Sequence, residues 1–355
     1  YNIKKVMKII TKKGCEHRSI NLNIEDYNIS KFTYFYFKKY KLILENTINS
    51  VEIELYNLDF YNYFTNNKNK ENLSNLDKNI IYLLQSLFFI DACKENNELN
   101  NWDFHDSLFH LKSRFGRHNN GYGATYRYKN NDDIPKIMKK INKNTNEILL
   151  EKPDKNKLRN KNLNFFDVLE KRFSSRKYSN MPIKINEISD FLFLTSRVKE
   201  IKEDYHCEIT KRPYPNGGSL YELELYLTIL NCRELKNGLY YYNPKKHSLI
   251  FINKININTE KMITFAQNAS KCKNFHVLIT ITARFQRVMW KYESISYSLI
   301  LKNTGVLLQN LSLAATSLNL GSCIIGAGDL DTLSNEIGEK FYNESAVGEI
   351  ILGKI

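Results

Sequence analysis

The feature that most constrains this 355-residue chain is a change of pattern near residue 164. Beyond it, apolar runs of strand length alternate with segments whose apolar residues recur at helical spacing. Residues 222–230 read as a near-continuous apolar strand. Residues 275–283, rich in β-branched side chains, read as another strand buried on both faces. Residues 238–242 and 249–252 make a hairpin around Asn243-Pro244. Residues 165–172 open one helix, 186–198 form a second, and 299–318 form the longest, with Gly321 just past its end as the stop. Residues 323–325 and 349–355 read as the last strands. This interleaving calls for an α+β fold, a mixed sheet flanked by helices.

The first hundred residues differ. Residues 32–44 and 51–55 are strand-like, rich in Tyr, Phe, Ile and Leu, with 45–50 as a hairpin turn. Asp77 reads as the cap of a helix running to about Glu95, with Ile80, Ile81, Leu84, Leu87 and Phe88 on one apolar face. Strands followed by a helix at this size suit a smaller N-terminal α+β region, in the style of a winged helix. The stretch 136–162 carries nine Lys and Arg against three acidic residues and reads as a solvated linker or an exposed helix. The expected division is therefore an N-terminal region at 1–100, a connecting segment at 101–162 and a larger domain at 163–355.

Hydrophobic residues make up 42% of the chain, ample for a buried core. The net charge of +14 comes from 52 Lys and Arg against 38 Asp and Glu. No Arg-rich helix, aromatic RNA-binding strand or zinc spacing accompanies it, so nucleic acid is not the expected partner. Six cysteines (Cys15, Cys93, Cys207, Cys232, Cys272 and Cys323) sit far apart without a C-x-x-C, which fits reduced thiols and a cytoplasmic setting. No basic-then-apolar signal opens the sequence, and the long uncharged run 303–328 is too polar for a membrane span.

Four segments carry candidate chemistry. In the first, Arg172-Phe173-Ser174-Ser175-Arg176, planar guanidinium groups and hydroxyls suit a dianionic phosphate. The second runs from Arg212 through Pro215-Asn216-Gly217-Gly218-Ser219-Leu220-Tyr221, where paired glycines let backbone approach a flat ring. The third, 283–292, contains Arg287 and ends in Lys291-Tyr292. Removing a proton from carbon needs a base, and this pair offers an amine and a phenol. Adjacent residues on a helix or strand do not share a face, so both can serve one substrate only from an irregular loop. The fourth follows the long helix, with Gly321 and Gly326 after small residues at Gly305, Ala314 and Ala315 that permit tight helix packing. The chain then closes on Leu352-Gly353-Lys354.

In this order the four segments resemble the FMN-dependent nitroreductases, and among them the SagB-type azoline dehydrogenases. The first is similar to the family's R-x-S-x-R opening. The second resembles R-P-x-P-S-x-G-x-L-Y-x-x-E-x-Y, with Asn216 where Ser is usual. Upstream, Phe109-His110-Leu111-Lys112-Ser113-Arg114 is similar to an F-H-x-x-S-R stretch of the same dehydrogenases. The resemblance implies a nitroreductase-like fold holding FMN between two subunits of a homodimer. It implies FMN contacts at Arg172, Ser174, Arg176, Pro215, Asn216, Gly217, Gly218, Leu220, Arg287, Gly321, Gly326 and Lys354, with Lys291 and Tyr292 catalytic. The activity implied is oxidation of peptide azolines to thiazoles or oxazoles, with a precursor peptide, an ATP-using cyclodehydratase and its docking subunit as partners. Position alone suggests that the N-terminal region binds a leader peptide or those enzymes. A general NAD(P)H nitroreductase and a non-catalytic FMN-filled scaffold subunit are the alternatives.

Overall fold

The computed structural model describes residues 7–12, 15, 27–56, 74–92, 97–130, 134–141, 146–161, 163–203, 207–326 and 328–355. The backbone separates into two units, Tyr1–Thr125 and Tyr126–Ile355.

In the first unit, β1 (Met7–Thr11), β2 (Tyr27–Ile29), β3 (Thr33–Lys38), β4 (Lys41–Asn46) and β5 (Val51–Leu55) precede α1 (Asn75–Ser86), β6 (Ile90–Ala92), α2 (Asn97–Asn100) and α3 (Phe104–Ser113). Four strands form an antiparallel sheet in the order β1-β5-β4-β3. Alternation sends Leu44, Val51 and Ile53 to one face, where they bury against Ile80, Ile81 and Leu84 of α1. The other face gathers charge: Lys12 Nζ lies 2.8 Å from Glu45 Oε1 and 2.5 Å from Glu52 Oε1, and Lys112 Nζ lies 2.6 Å from Glu45 Oε1.

Two expectations change here. The strand expected at 32–44 is a hairpin, because Lys39 and Tyr40 take φ of 48° and 65° and turn the chain in two residues. Neither residue is Gly or Asn, so the turn left no signature. The cap of α1 is Ser74, whose hydroxyl accepts from the Asp77 amide; Asp77 completes the capping box from the third position. The helix ends at Ser86, and both Glu95 and Cys93 lie outside the described residues.

The second unit contains β7 (Glu147–Leu149), α4 (Lys155–Lys161), α5 (Phe165–Lys171), α6 (Ile185–Ser196), β8 (Glu200–Glu203), β9 (Glu208–Lys211), β10 (Leu223–Ile229), β11 (Gly238–Asn243) and β12 (Ser248–Asn253). It continues with α7 (Ile257–Ser270), β13 (Val277–Arg284), α8 (Gln286–Met289), α9 (Ser296–Ser317), β14 (Leu320–Ile325), α10 (Leu330–Ile337) and β15 (Glu344–Lys354). Seven strands form one sheet in the order β14-β15-β13-β10-β11-β12-β7. Leu223, Leu225, Leu227 and Ile229 of β10 face one way with Phe191 and Leu192 of α6 and Ile300, Leu307 and Leu311 of α9. Tyr226 faces the other way with Met262 and Ala266 of α7 and Leu333 of α10.

Of the stretch 136–162, expected as a solvated linker or an exposed helix, the described residues include strand β7, which pairs with β12 at the sheet edge, and the helix α4. Helices α7 and α10 had no counterpart in the sequence reading. The residue that stops α9 is Asn319, at φ 56°, and Gly321 lies inside β14. No described helix is long and apolar enough to cross a membrane.

Candidate functional site

The segment between β9 and β10 is a tight glycine turn. Gly218, Ser219 and Tyr221 hold φ of 65°, 56° and 45°, and each left-handed residue bearing a β-carbon costs about 1–2 kcal/mol. Side chains over-determine the turn. Asn303 of α9 accepts from the Gly217 amide at 3.1 Å, and Asn216 Oδ1 accepts from the Tyr221 amide at 2.9 Å. Both asparagines donate to Glu222, Asn303 to Oε1 and Asn216 to Oε2, each at 2.8 Å. A β-carbon on Gly217 would stand 2.6 Å from Leu299 Cδ2, so any larger residue there would have to displace the Leu299 side chain. Tyr221 Oη donates to the Tyr214 carbonyl at 2.7 Å and ties the ends of the loop together.

Lys291 and Tyr292 converge on this turn. A β-carbon on Gly218 would lie 2.8 Å from Tyr292 Oη and 3.3 Å from Lys291 Nζ. The four-residue α8 stops at Met289, and the chain then runs through an irregular turn before α9 begins at Ser296. The Lys291 and Tyr292 amides both donate to the Val288 carbonyl, at 3.1 and 2.9 Å, and both side chains reach Gly218. Lys291 Nζ sits 5.3 Å from the ring centre of Tyr126 and 5.7 Å from that of Tyr292, within cation–π range. The Tyr126 amide in turn donates to the Lys291 carbonyl at 3.0 Å.

Arg287, expected as a cofactor contact, makes hydrogen bonds to main-chain carbonyls. It is 1% exposed, and its guanidinium donates to the carbonyls of Leu220, Pro135 and Glu208 at 2.8–3.2 Å. Burial lowers its pKa from the usual arginine value. It is a clamp holding the glycine turn through Leu220, with bonds to main-chain carbonyls and a further one to the Cys207 side chain. Pro215 is exposed, and Leu220 is buried in the core.

The remaining residues form a second group. Ser174 bridges Ser322 in parallel, and the Ser175 amide donates to the Ser322 carbonyl at 2.8 Å. The Arg172–Arg176 segment thus runs along the edge strand β14 beside Gly321. A β-carbon on Gly321 would meet Ser175 Oγ at 2.8 Å, so glycine is required there by close approach. Lys354 pairs with Leu320 across β14–β15, and its Nζ lies 3.3 Å from Glu187 Oε1. Arg172 is half-buried and Arg176 exposed, and no described carboxylate is ion-paired to either. Gly326 follows the other end of β14, exposed, with open space around it. Cys323 is buried, which raises its thiol pKa.

These two groups stand at opposite ends of the sheet. The glycine turn enters β10 at Leu223, paired with Ala283, which pairs with Ser345 near the start of β15. Lys354 lies at the far end of that eleven-residue strand, with Gly321 of β14 paired beside it to Gly353, roughly 30 Å away at about 3.3 Å per residue.

Sequence reasoning passed over Glu222 and Asn303. The available signal was Asn303 in an otherwise apolar stripe, four residues after Leu299. Buried carboxylates recur on the α7–α10 side of the sheet. Glu224 accepts from Arg284 at 3.2 Å and Tyr241 at 2.9 Å, and Glu344 accepts from Tyr226 at 3.1 Å and Thr282 at 2.7 Å. Burial pushes Glu222 and Glu224 above the usual carboxylate range and Glu349 up to about 7.

Comparison with known proteins places the chain. Residues 27–119 match the model of the cyanobactin oxidase ThcOx. A relative from Methanocaldococcus jannaschii that carries a nitroreductase name is 29% identical over 161 residues, 45% of this chain and 77% of that protein. The microcin B17-processing protein McbC of Escherichia coli is 27% identical over 114 residues, covering 31% of this chain and 42% of McbC. A solved nitroreductase-type structure from Anabaena variabilis superposes with a TM-score of 0.48 at 22% identity, covering 62% of this chain and 41% of that one. The nitroreductase family model matches residues 169–354, from the end of α5 through β15, and with it both groups of site residues and every strand of the main sheet except β7. The chain belongs to the nitroreductase family.

Proposed function

We propose that this protein is an FMN-dependent oxidoreductase that oxidises peptide azolines to thiazoles or oxazoles during maturation of a ribosomally made peptide. The observation that carries the reading is the meeting of Lys291 Nζ and Tyr292 Oη at Gly218. A general nitroreductase needs no such paired base, whereas aromatising an azoline needs a group to accept the ring proton. The matches to ThcOx over 27–119 and to McbC support the same substrate class.

The residues present fit FMN. Arg172, Ser174 and Arg176 offer cations and a hydroxyl for the phosphate, and Gly321 lets that segment lie close to β14. The glycine turn supplies backbone that can approach a flat ring. FMN held by these residues would supply the hydride acceptor for the substrate ring. Tyr292 Oη or Lys291 Nζ takes the proton, and the other group orients the ring or stabilises developing charge. The turn holds the substrate carbon against that pair, so orientation carries much of the rate.

The separation of the two groups along β15 supports a homodimer, in which the glycine turn of one copy completes the phosphate group of the other. The outer side of α9 suits that contact: Tyr297, Leu301 and Val306 are 38–40% exposed, and Gly305 between them has open space over it. On α5, Phe165 and Phe166 are each 70% exposed. The partners in this reading are a precursor peptide and the cyclodehydratase and docking subunits that make its azolines, in a cytoplasmic complex.

Two measurements test the reading. Releasing the cofactor and identifying it by chromatography is expected to give FMN; FAD or no flavin would contradict it. Mass spectrometry of an azoline-bearing peptide is expected to show loss of two hydrogens per ring oxidised. Rapid flavin reduction by NAD(P)H without azoline oxidation would favour a general nitroreductase instead.

A further inference from the structure

The glycine turn is held by side chains whose hydrogen-bond directions can be assigned without seeing a proton. Main-chain N–H groups only donate. The amides of Gly217 and Tyr221 therefore require Oδ1 of Asn303 and Oδ1 of Asn216 to face them. That orientation turns both side-chain NH₂ groups toward Glu222, one to each carboxyl oxygen. Two donors facing two oxygens call for a carboxylate that accepts at both. Glu222 is fully buried and Asn303 is 5% exposed, so neither finds water as a substitute. Burial raises the Glu222 carboxyl, while the two amides and the nearby Arg212 guanidinium favour the charged form. Leu299 and Asn303, one helical turn apart on α9, press on the same glycine, by packing and by hydrogen bond respectively.

We propose that Glu222 and Asn303, with Asn216, form a positioning relay that fixes the Gly217–Gly218 turn against α9 and so sets where Lys291 and Tyr292 meet. This rests on the reading of that turn as the reaction site. The carboxylate touches no reacting atom; it acts by orienting two amides that hold two main-chain N–H groups. The left-handed residues Ser219 and Tyr221 persist because the relay on one side and Arg287 on the other leave the loop no relaxed alternative.

The relay can be broken and rebuilt. In Glu222→Gln, the new amide brings its own NH₂ against one of the two donors. In Asn303→Asp, two carboxylates face each other. In the double variant the parts match again: the carboxylate introduced on α9 accepts from the Gly217 amide and from the NH₂ introduced at position 222, whose carbonyl accepts from Asn216. Hydrogen–deuterium exchange of the purified full chain, followed in peptides covering 214–221, reads the turn directly and independently of turnover. Each single variant is expected to exchange about 10- to 100-fold faster there, with β10 and β13 still protected. The double variant is expected to return to within about 3-fold of wild type. On an azoline-bearing peptide, kcat should fall and recover in the same pattern with KM little changed.

Unchanged exchange in both single variants would overturn the relay, as would a double variant as fast as the singles. Loss of protection throughout β10 and β13 in all three would also overturn it, making these residues determinants of the fold. Expected exchange behaviour in a wild-type protein that oxidises no azoline would overturn the reading of the reaction and leave the relay standing.

Discussion

Lys291 and Tyr292, neighbours in the chain, present Nζ and Oη to one side of Gly218, at 3.3 and 2.8 Å from where its β-carbon would stand. Regular backbone would point them apart. Both are half-buried, and both border the turn that Arg287 and the Glu222 relay hold in place.

Removing either functional group is expected to separate activity from stability. Tyr292→Phe or Lys291→Ala should lower azoline oxidation by about 10²–10⁴-fold, the usual contribution of a placed general base. The melting temperature and flavin content should hardly change, because a partly exposed side chain contributes about 1 kcal/mol or less. Full activity in both variants would reduce the pair to bystanders, and loss of flavin would make them cofactor ligands.

Gly218→Ala tests the same meeting point from the other side. The added methyl would collide with Tyr292 Oη, on backbone at φ 65°. We expect a loss of about 1–2 kcal/mol from the left-handed conformation and a fall in kcat of at least about 10-fold from displacing the pair. Unaltered kinetics at normal stability would show that the turn lies away from the chemistry.

Arg287→Lys is expected to behave as a folding defect. A lysine cannot span the carbonyls of Leu220, Pro135 and Glu208 together, and the carbonyls it misses are left buried. The expected cost is about 3 kcal/mol, read as a lower denaturation midpoint. A variant of normal stability that has lost its flavin would instead return Arg287 to the cofactor site.

Two buried groups give the pH dependence opposite signs. Burial pushes Glu349 up to about 7, with Oε2 unpartnered among the described residues and Asp329 adding to the rise. The stabilisation from its bound proton is present at low pH and lost as pH rises through about 7. Burial pushes His247 down to about 4, where Tyr242 and Ser189 each sit 2.8 Å from a ring nitrogen. Its contribution is present above the ordinary histidine value and lost as pH falls toward 4. The two oppose each other between pH 4.5 and 6.5, so together they add little net slope there. Glu349→Gln removes one side: stability above pH 7 should rise by about 3 kcal/mol or less, and the melting temperature should then fall on acidification. A variant with the wild-type profile would show that Glu349 does not titrate in this range.

The main sheet was legible because its central strands are buried on both faces and mostly apolar: residues 222–230 and 275–283 are recognisable from composition, and β10 and most of β13 lie within them. The long helix was legible from its length. Elements whose local signals are weak were not. The β3–β4 hairpin turns on Lys39 and Tyr40, residues that reveal a left-handed φ only once the strands pair. Strand β7 has three residues and exists because β12 offers it an edge.

The sequence by itself determined which residue types are available for flavin and proton chemistry, since Arg172, Ser174, Arg176, the paired glycines and Lys291-Tyr292 are visible as ordered motifs. Only the tertiary structure decided which of them lie together. Strand register sends Arg172–Arg176 and Lys354 to one end of the sheet and the glycine turn to the other. Packing of the segment after α8 brings Lys291 Nζ and Tyr292 Oη to Gly218. Burial converts Arg287 into a backbone clamp and makes Glu222 and Asn303 the supports of the site. A motif specifies chemistry one residue at a time, whereas distance, direction and access to water belong to the packed chain.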